Sequence, residues 1–444
     1  MIALRFARRL FAPLLAALAL SAPAHAQVDI QSVTSPGGIE AWLVEDTSIP
    51  FVAIDLWFAG GSSIDLPESQ GAVHLMVSLL EEGAGDMDAA EFAAALEGLA
   101  ASFSLDIYRD EVVISIQMLT RNRDEVVALL REALVNPRFD DTAVERVRGQ
   151  VLSIIQSNLI DPDSIAGATF NQLAFGDHPY GRTAEGTLDS VAALTRDDLL
   201  AAHRAALVQD RVSVGVSGDM TPEDLGPLLD ALLGDLPVSS ERPLPGPADV
   251  NLPGGVTVVD FPTPQSSVMF GHAGMARDDP DFFPAFVMGE VLGGGGYRSR
   301  LMADVREARG LTYGISTWLG LSRAAPMMQG GFSSSNDLVA EAIDVVQAAW
   351  ADLAANGITE TELDNVQRYL TGAYFLRFDG NGRIAGILAA MQSDDMPIDY
   401  INTRNDRVMA VTVDDIQRVA ARLVDPEGLN FVVVGQPEGL SASN

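Results

Sequence analysis

The chain has no cysteine and no lysine. Without cysteine there are no disulfides, no thiolate nucleophile, no thiolate metal site and no lipid anchor attached through an N-terminal cysteine. All 28 basic residues are arginine, and 61 acidic residues outnumber them to give a formal charge of −33. Such a charge repels nucleic acid and anionic lipid surfaces. It suits basic peptides as partners, although an acidic surface also serves solubility alone. Long apolar runs are equally scarce. The one that stands out is Leu10 to Leu20, preceded by Arg5, Arg8 and Arg9 and followed by Ala24-His25-Ala26. That order of charge, apolar stretch and small-residue site is a signal peptide over residues 1–26, too short to be a membrane span. We expect a mature, soluble chain starting near Gln27, exported to the periplasm or beyond. Removing residues 1–26, which hold three arginines and no acid, takes the charge from −33 to −36.

At 444 residues the chain can bury a large core and should divide into more than one domain. An internal repeat says how. The stretch Leu188 to Leu199 matches Asn405 to Ile416, with Thr195 aligned to Thr412, an offset of 217 residues. The apolar run that follows keeps the offset, Gly218 aligning with Gly435. One long unit repeated twice implies two homologous domains rather than a solenoid. Between them, Pro237 to Gly255 is rich in proline and glycine and reads as a linker. This gives domains at 27–236 and 256–444. Phe51 to Phe58 has strand composition, and Asp88-x-x-Glu91 is a capping box opening a helix over 89–100. Ser102 to Tyr108 and Glu111 to Leu119 form an antiparallel pair, and helices follow near 123–135 and 141–158. The fold class is α+β: in each half, a mainly antiparallel sheet with helices packed on one face.

His74 lies in an apolar run that reads as a helix ending at Gly83. An inverted zinc motif, H-x-x-E-H, puts a second histidine four residues on, so that both share a helix face and hold one ion, with a glutamate between them as base. Here those positions are Ser78 and Val77. Neutral serine is a poor zinc ligand, and valine cannot move a proton. Glu81 or Glu82 could complete a site with His74 only across roughly 10 Å of helix axis, which favours a histidine without a metal.

The surroundings carry a resemblance. Gly60-Gly61-Ser62-Ser63, His74, Glu82-Gly83-Ala84-Gly85 and His178-Pro179-Tyr180-Gly181-Arg182 together resemble the insulinase/pitrilysin-type metallopeptidases, over nearly the whole chain after residue 27. The resemblance implies two domains enclosing part of a chamber. It also places the family's third zinc ligand, a glutamate, at Ile154. Two of three ligands and the base are thus absent, and the likeness is to the zinc-less, non-catalytic subunit of the processing-peptidase type.

The resemblance further implies roles in the second half. Arg306 and Tyr313 have the spacing of the family's Arg/Tyr pair, which faces the zinc across the chamber and can stabilise an oxyanion or fix a peptide backbone. Gly310 is a natural helix stop between them, so Tyr313 is expected to begin the next strand. The run Gly293-Gly294-Gly295-Gly296 lacks the Lys-Ser/Thr of a phosphate loop. It resembles the family's substrate-recognising glycine-rich loop in a shorter form; otherwise it is a turn into the following helix.

The other candidates read as structural. His178 belongs to a turn, His203 to a helix, and His272 to a strand or its end. Ser78 beside His74 lacks the strained elbow of a serine nucleophile. Trp57 and Phe58 are core aromatics. The expected function is a non-catalytic subunit of a heterodimeric zinc peptidase. This chain would bind no cofactor itself, the partner would hold the zinc, and Arg306 and Tyr313 would complete the partner's site around a peptide substrate. The alternatives are a stand-alone peptide-binding or chaperone-like homodimer, and a peptidase with an unusual metal site.

Overall fold

The computed structural model describes residues 28–294 and 298–440. The expected signal peptide, and Gly295 and Gly296 of the glycine run, lie outside the described residues. In the first half the strands are β1 Gln31–Thr34, β2 Glu40–Glu45, β3 Phe51–Ala59, the short pair β4 Gly83–Ala84 and β5 Met87–Asp88, then β6 Ser102–Ile107, β7 Glu111–Leu119 and β8 Val212–Gly218. The second half adds β9 Gly255–Asp260, β10 Gln265–Ala273, β11 Ile315–Gly320, β12 Met327–Ser335 and β13 Asn430–Gly435.

The large sheets run β1-β2-β8-β3-β7-β6 and β11-β12-β10-β13-β9. Set β1 aside and reverse the second list, and the two orders coincide. In each, the half's last strand pairs in parallel with an early one (β8 with β2, β13 with β9), and every other pairing is antiparallel. The 217-residue repeat therefore joins β8 and β13, which hold the same central place. The fold is α+β, two sheets each with its own helical layer.

Each half's own helices cover one sheet face. In the first half Leu43, Ile54, Ile116, Val214 and Val216 pack against helices including Arg123–Val135 and Arg196–Ala206. The other face is covered by a helix of the opposite half. Asn381–Ser393 lies across β8 and β3, with Leu388 and Met391 against Trp42. Its counterpart Pro162–Phe175 lies across β10 and β13, with Phe170 and Ala174 against Val432 and Val434. The sequence shows why the central strands tolerate this. Strands buried on both faces need apolar or small residues at every position, and Val214 to Gly218 and Phe431 to Gly435 supply them. At Gly215 a Cβ would meet Ala385 O at 2.0 Å, so only glycine lets the exchanged helix approach so closely.

Several sequence expectations shift. The helices at 123–135 and 141–158 are found at Arg123–Val135 and Asp141–Asn158. The capping box of Asp88 and Glu91 is formed, but its helix stops at Gly98. The helix through His74 spans only Ala72–Val77, and Gly83 opens β4 instead of ending it. Its hydrogen bonds tighten at once, Leu79 N to Met76 O and Leu80 N to Val77 O, so apolar residues continue while the α-helix does not.

Candidate functional site

Asp65 builds the entry to the His74 helix. Gly71, at φ 85°, takes the left-handed turn that starts it. The Asp65 carboxyl accepts from Gly71 N at 2.8 Å and Val73 N at 3.1 Å, satisfying donors that a helix start leaves free. Burial pushes this carboxyl up to about 7, against the pull of those two N–H groups and of Arg242 and Arg182. Arg182, the arginine of the His-Pro-Tyr-Gly-Arg segment, also donates to Asp65 O at 3.2 Å.

On that helix His74 is held below the usual imidazole range, by burial first, with Glu185 opposing. Its Nδ1 is buried and has no hydrogen-bond partner among the described residues. Val77 is fully buried. The Ser78 hydroxyl donates to His74 O at 2.9 Å, one turn back, so it belongs to the helix and is not poised as a nucleophile. Ile154 is 44% exposed on the long helix Asp141–Asn158. Beyond the helix end, Glu82 pairs with Arg146, while burial and then Glu82 push the Glu81 carboxyl up. Among the described residues no group of three or more histidine, aspartate or glutamate side chains gathers as a metal site. The residues at the zinc positions do not fit zinc: one imidazole, a committed hydroxyl and two alkyl groups cannot supply three ligands and a base.

The same His-Pro-Tyr-Gly-Arg segment that steadies Asp65 joins the halves. Tyr180 OH donates to the Asp110 carboxylate at 2.5 Å and accepts from Ala324 N at 2.9 Å; Arg323 N donates to Asp110 at 3.1 Å. Arg109 lies 4.9 Å over the Tyr180 ring. His178 accepts from Tyr180 N through Nδ1 and lies 3.2 Å from Gly246 O through Nε2, fixing the proline-rich segment. Glu111, next along, has its carboxyl pushed up to about 7 by burial and by Asp110. Sequence reading found the turn but not these partners, which are far away in the chain.

In the second half, Arg306 sits half-buried on the wide helical turn Met302–Glu307. Gly310, at φ 66°, stops that turn, with Gly310 N bonded to Arg306 O at 2.9 Å. Tyr313 does not begin the next strand: β11 starts at Ile315, and Tyr313 lies in the connection, 87% exposed. An exposed position gives a tyrosine none of the packing that makes it a strand former. Gly293 caps the preceding helix Phe282–Leu292, not the following one, and its O accepts from Thr317 N at 2.8 Å. A Cβ there would meet Thr317 Oγ1 at 2.5 Å, a packing reason for glycine. His203 contacts Leu134 O at 2.7 Å from a helix. His272, on β10, accepts from Trp350 Nε1 at 3.0 Å. Phe58 is fully buried.

Comparison with known proteins agrees with this layout. Residues 41–188 match the family model of insulinase (peptidase family M16), and residues 193–370 match that of the peptidase M16 inactive domain. The non-peptidase homolog YmxG of Helicobacter pylori is 26% identical over 396 residues, covering 88% of this chain and 90% of that protein. An uncharacterised zinc protease of Mycobacterium leprae is 24% identical, covering 88% of each. The crystal structure of a peptidase M16 inactive domain from Pseudomonas fluorescens superposes with a TM-score of 0.86 at 27% identity, covering 94% of this chain and 99% of that one. With its duplicated sheets, its two matched family models and a zinc motif reduced to one histidine, the chain belongs to the insulinase (M16) family.

Proposed function

We propose that this chain is an exported, non-catalytic member of its family that works as one subunit of a heterodimeric peptidase. The catalytic partner is a similar chain with an intact H-x-x-E-H, and any zinc is the partner's. The observation that carries the reading is a contrast. The zinc positions of the first half hold Val77, Ser78 and Ile154, whereas the second half keeps Arg306 and holds Tyr313 87% exposed. A phenol in that setting does little for stability, and it suits contact with a group outside the chain. The name of the Helicobacter pylori relative, a non-peptidase homolog, is consistent with a chain that cannot hydrolyse peptides alone. In the assembly Arg306 and Tyr313 would bear on the substrate carbonyl, as donors placed where charge develops. The edge strand β6, beside the His74 helix, would help hold the extended peptide by strand addition.

Reconstitution tests this. The purified chain should hydrolyse no peptide, and adding the motif-bearing family member from the same cells should produce hydrolysis that neither gives alone. Full-rate hydrolysis by that other chain without this one contradicts the proposal.

A further inference from the structure

The second half, together with Glu111 of the first, forms a two-lobed cleft that the subunit reading does not use. Its cavities, about 790 and 720 Å³, adjoin through shared residues that include Arg277, Phe282 and Asp394. Each falls in the size range of sites for small ligands and peptide ends. One wall comes from the helix Phe282–Leu292 and from β11; the other comes from residues 374–404.

The lobes differ in charge. The smaller is lined by four arginines (277, 377, 383 and 404) and two carboxylates (Glu290 and Asp394), a formal excess of +2 in a chain of −33. Asp394 is taken up by Arg277 at 3.1 Å. Burial pushes the Glu290 carboxyl toward its neutral form. Arg404 is buried, with its guanidinium 4.4 Å over the Tyr374 ring. Arg377 and Arg383 are exposed and make no ion pair among the described residues. The larger lobe is lined by four arginines and six carboxylates, an excess of −2. There Asp278 and Asp395 are exposed and likewise outside the ion pairs among the described residues. Trp318, 42% exposed, and Phe378 also line the smaller lobe and give it an apolar surface beside its arginines.

We propose that this cleft binds the C-terminal end of a peptide. The terminal carboxylate meets Arg377 and Arg383, the last, apolar side chain lies against Trp318 and Phe378, and a basic side chain upstream enters the acidic lobe at Asp278 and Asp395. Guanidinium forks match a carboxylate in geometry as well as charge. The opposed lobes set the direction of the bound chain. The proposal concerns this chain alone and stands whether or not a catalytic partner exists.

Calorimetric titration of the purified mature chain tests it with three probes: the N-acetylated tetrapeptide arginine-alanine-alanine-phenylalanine, its C-terminal amide, and N-acetylphenylalanine. The free-acid tetrapeptide should bind, and the amide should bind about tenfold more weakly or worse. N-acetylphenylalanine should also be weaker, since it cannot reach the acidic lobe. The double variant Arg377→Ala/Arg383→Ala should lose about tenfold for the free acid while keeping its unfolding midpoint, because neither side chain is ion-paired. Equal binding of acid and amide, no binding of the tetrapeptide, or an unaffected double variant overturns the proposal. N-acetylphenylalanine binding as tightly as the tetrapeptide also overturns it, in favour of a site for small acids.

Discussion

Tyr180 and Asp110 are joined by a hydrogen bond of 2.5 Å, and the same phenol accepts from Ala324 N across the boundary between the halves. One side chain thus ties the β6–β7 turn of the first sheet to the segment entering β12 of the second. Burial and the adjacent Asp110 carboxylate both push the phenol's pKa up, so it stays a donor. Tyr180→Phe removes that donor and leaves a buried amide without its acceptor. We expect a loss of roughly 1–3 kcal/mol, read as a lower urea midpoint.

Glu111 gives the junction a pH dependence. Its carboxyl is raised in the folded chain from an ordinary value of 4.5 to about 7, so the folded state retains a proton that the unfolded state releases. The stability it contributes is complete below pH 4.5 and is lost as pH rises to about 7. Asp65, also raised to about 7, acts in the same direction. Glu111→Gln should therefore flatten the fall in stability between these pH values, with a difference from the parent chain of roughly 1–3 kcal/mol at pH 7. Denaturant titrations at pH 4.5 and 7 measure it.

The missing base cannot simply be restored. Val77 is fully buried, and burial holds the neighbouring His74 below the usual imidazole range. Val77→Glu places a carboxylate in the apolar core. We expect destabilisation of roughly 2–4 kcal/mol in urea unfolding, and no zinc retained after dialysis.

Tyr313 should behave oppositely. Because its side chain is 87% exposed, Tyr313→Phe should change stability by less than about 0.5 kcal/mol. In the reconstituted pair it should lower kcat by about tenfold or more, as should Arg306→Ala. Melting curves and steady-state hydrolysis together separate a role at the substrate from one in folding.

The duplication was legible in the sequence because β8 and β13 are buried on both faces, and this forces similar apolar runs at the same offset. The lost zinc motif was legible because it is defined by residue identity at fixed spacing. The exchange of Pro162–Phe175 and Asn381–Ser393 between sheets was not. Periodicity shows which face of a helix is apolar, not which sheet receives it. Asp65 as the cap of the His74 helix also escaped notice: it accepts from Gly71 N and Val73 N across an intervening turn, outside the usual three-residue box. The strand expected at Tyr313 failed for a simpler reason: Gly310 does stop the helical turn, but a stop does not say how long the connection is, and β11 starts only at Ile315. The four arginines of the cleft's smaller lobe, at 277, 377, 383 and 404, are spread along the chain and meet only when it folds.

Native mass spectrometry of the tagged chain, gently extracted from its own cells, tests the central claim most directly. The account predicts a one-to-one complex with a chain of similar size that carries an intact H-x-x-E-H. A preparation containing only monomer or homodimer would contradict it.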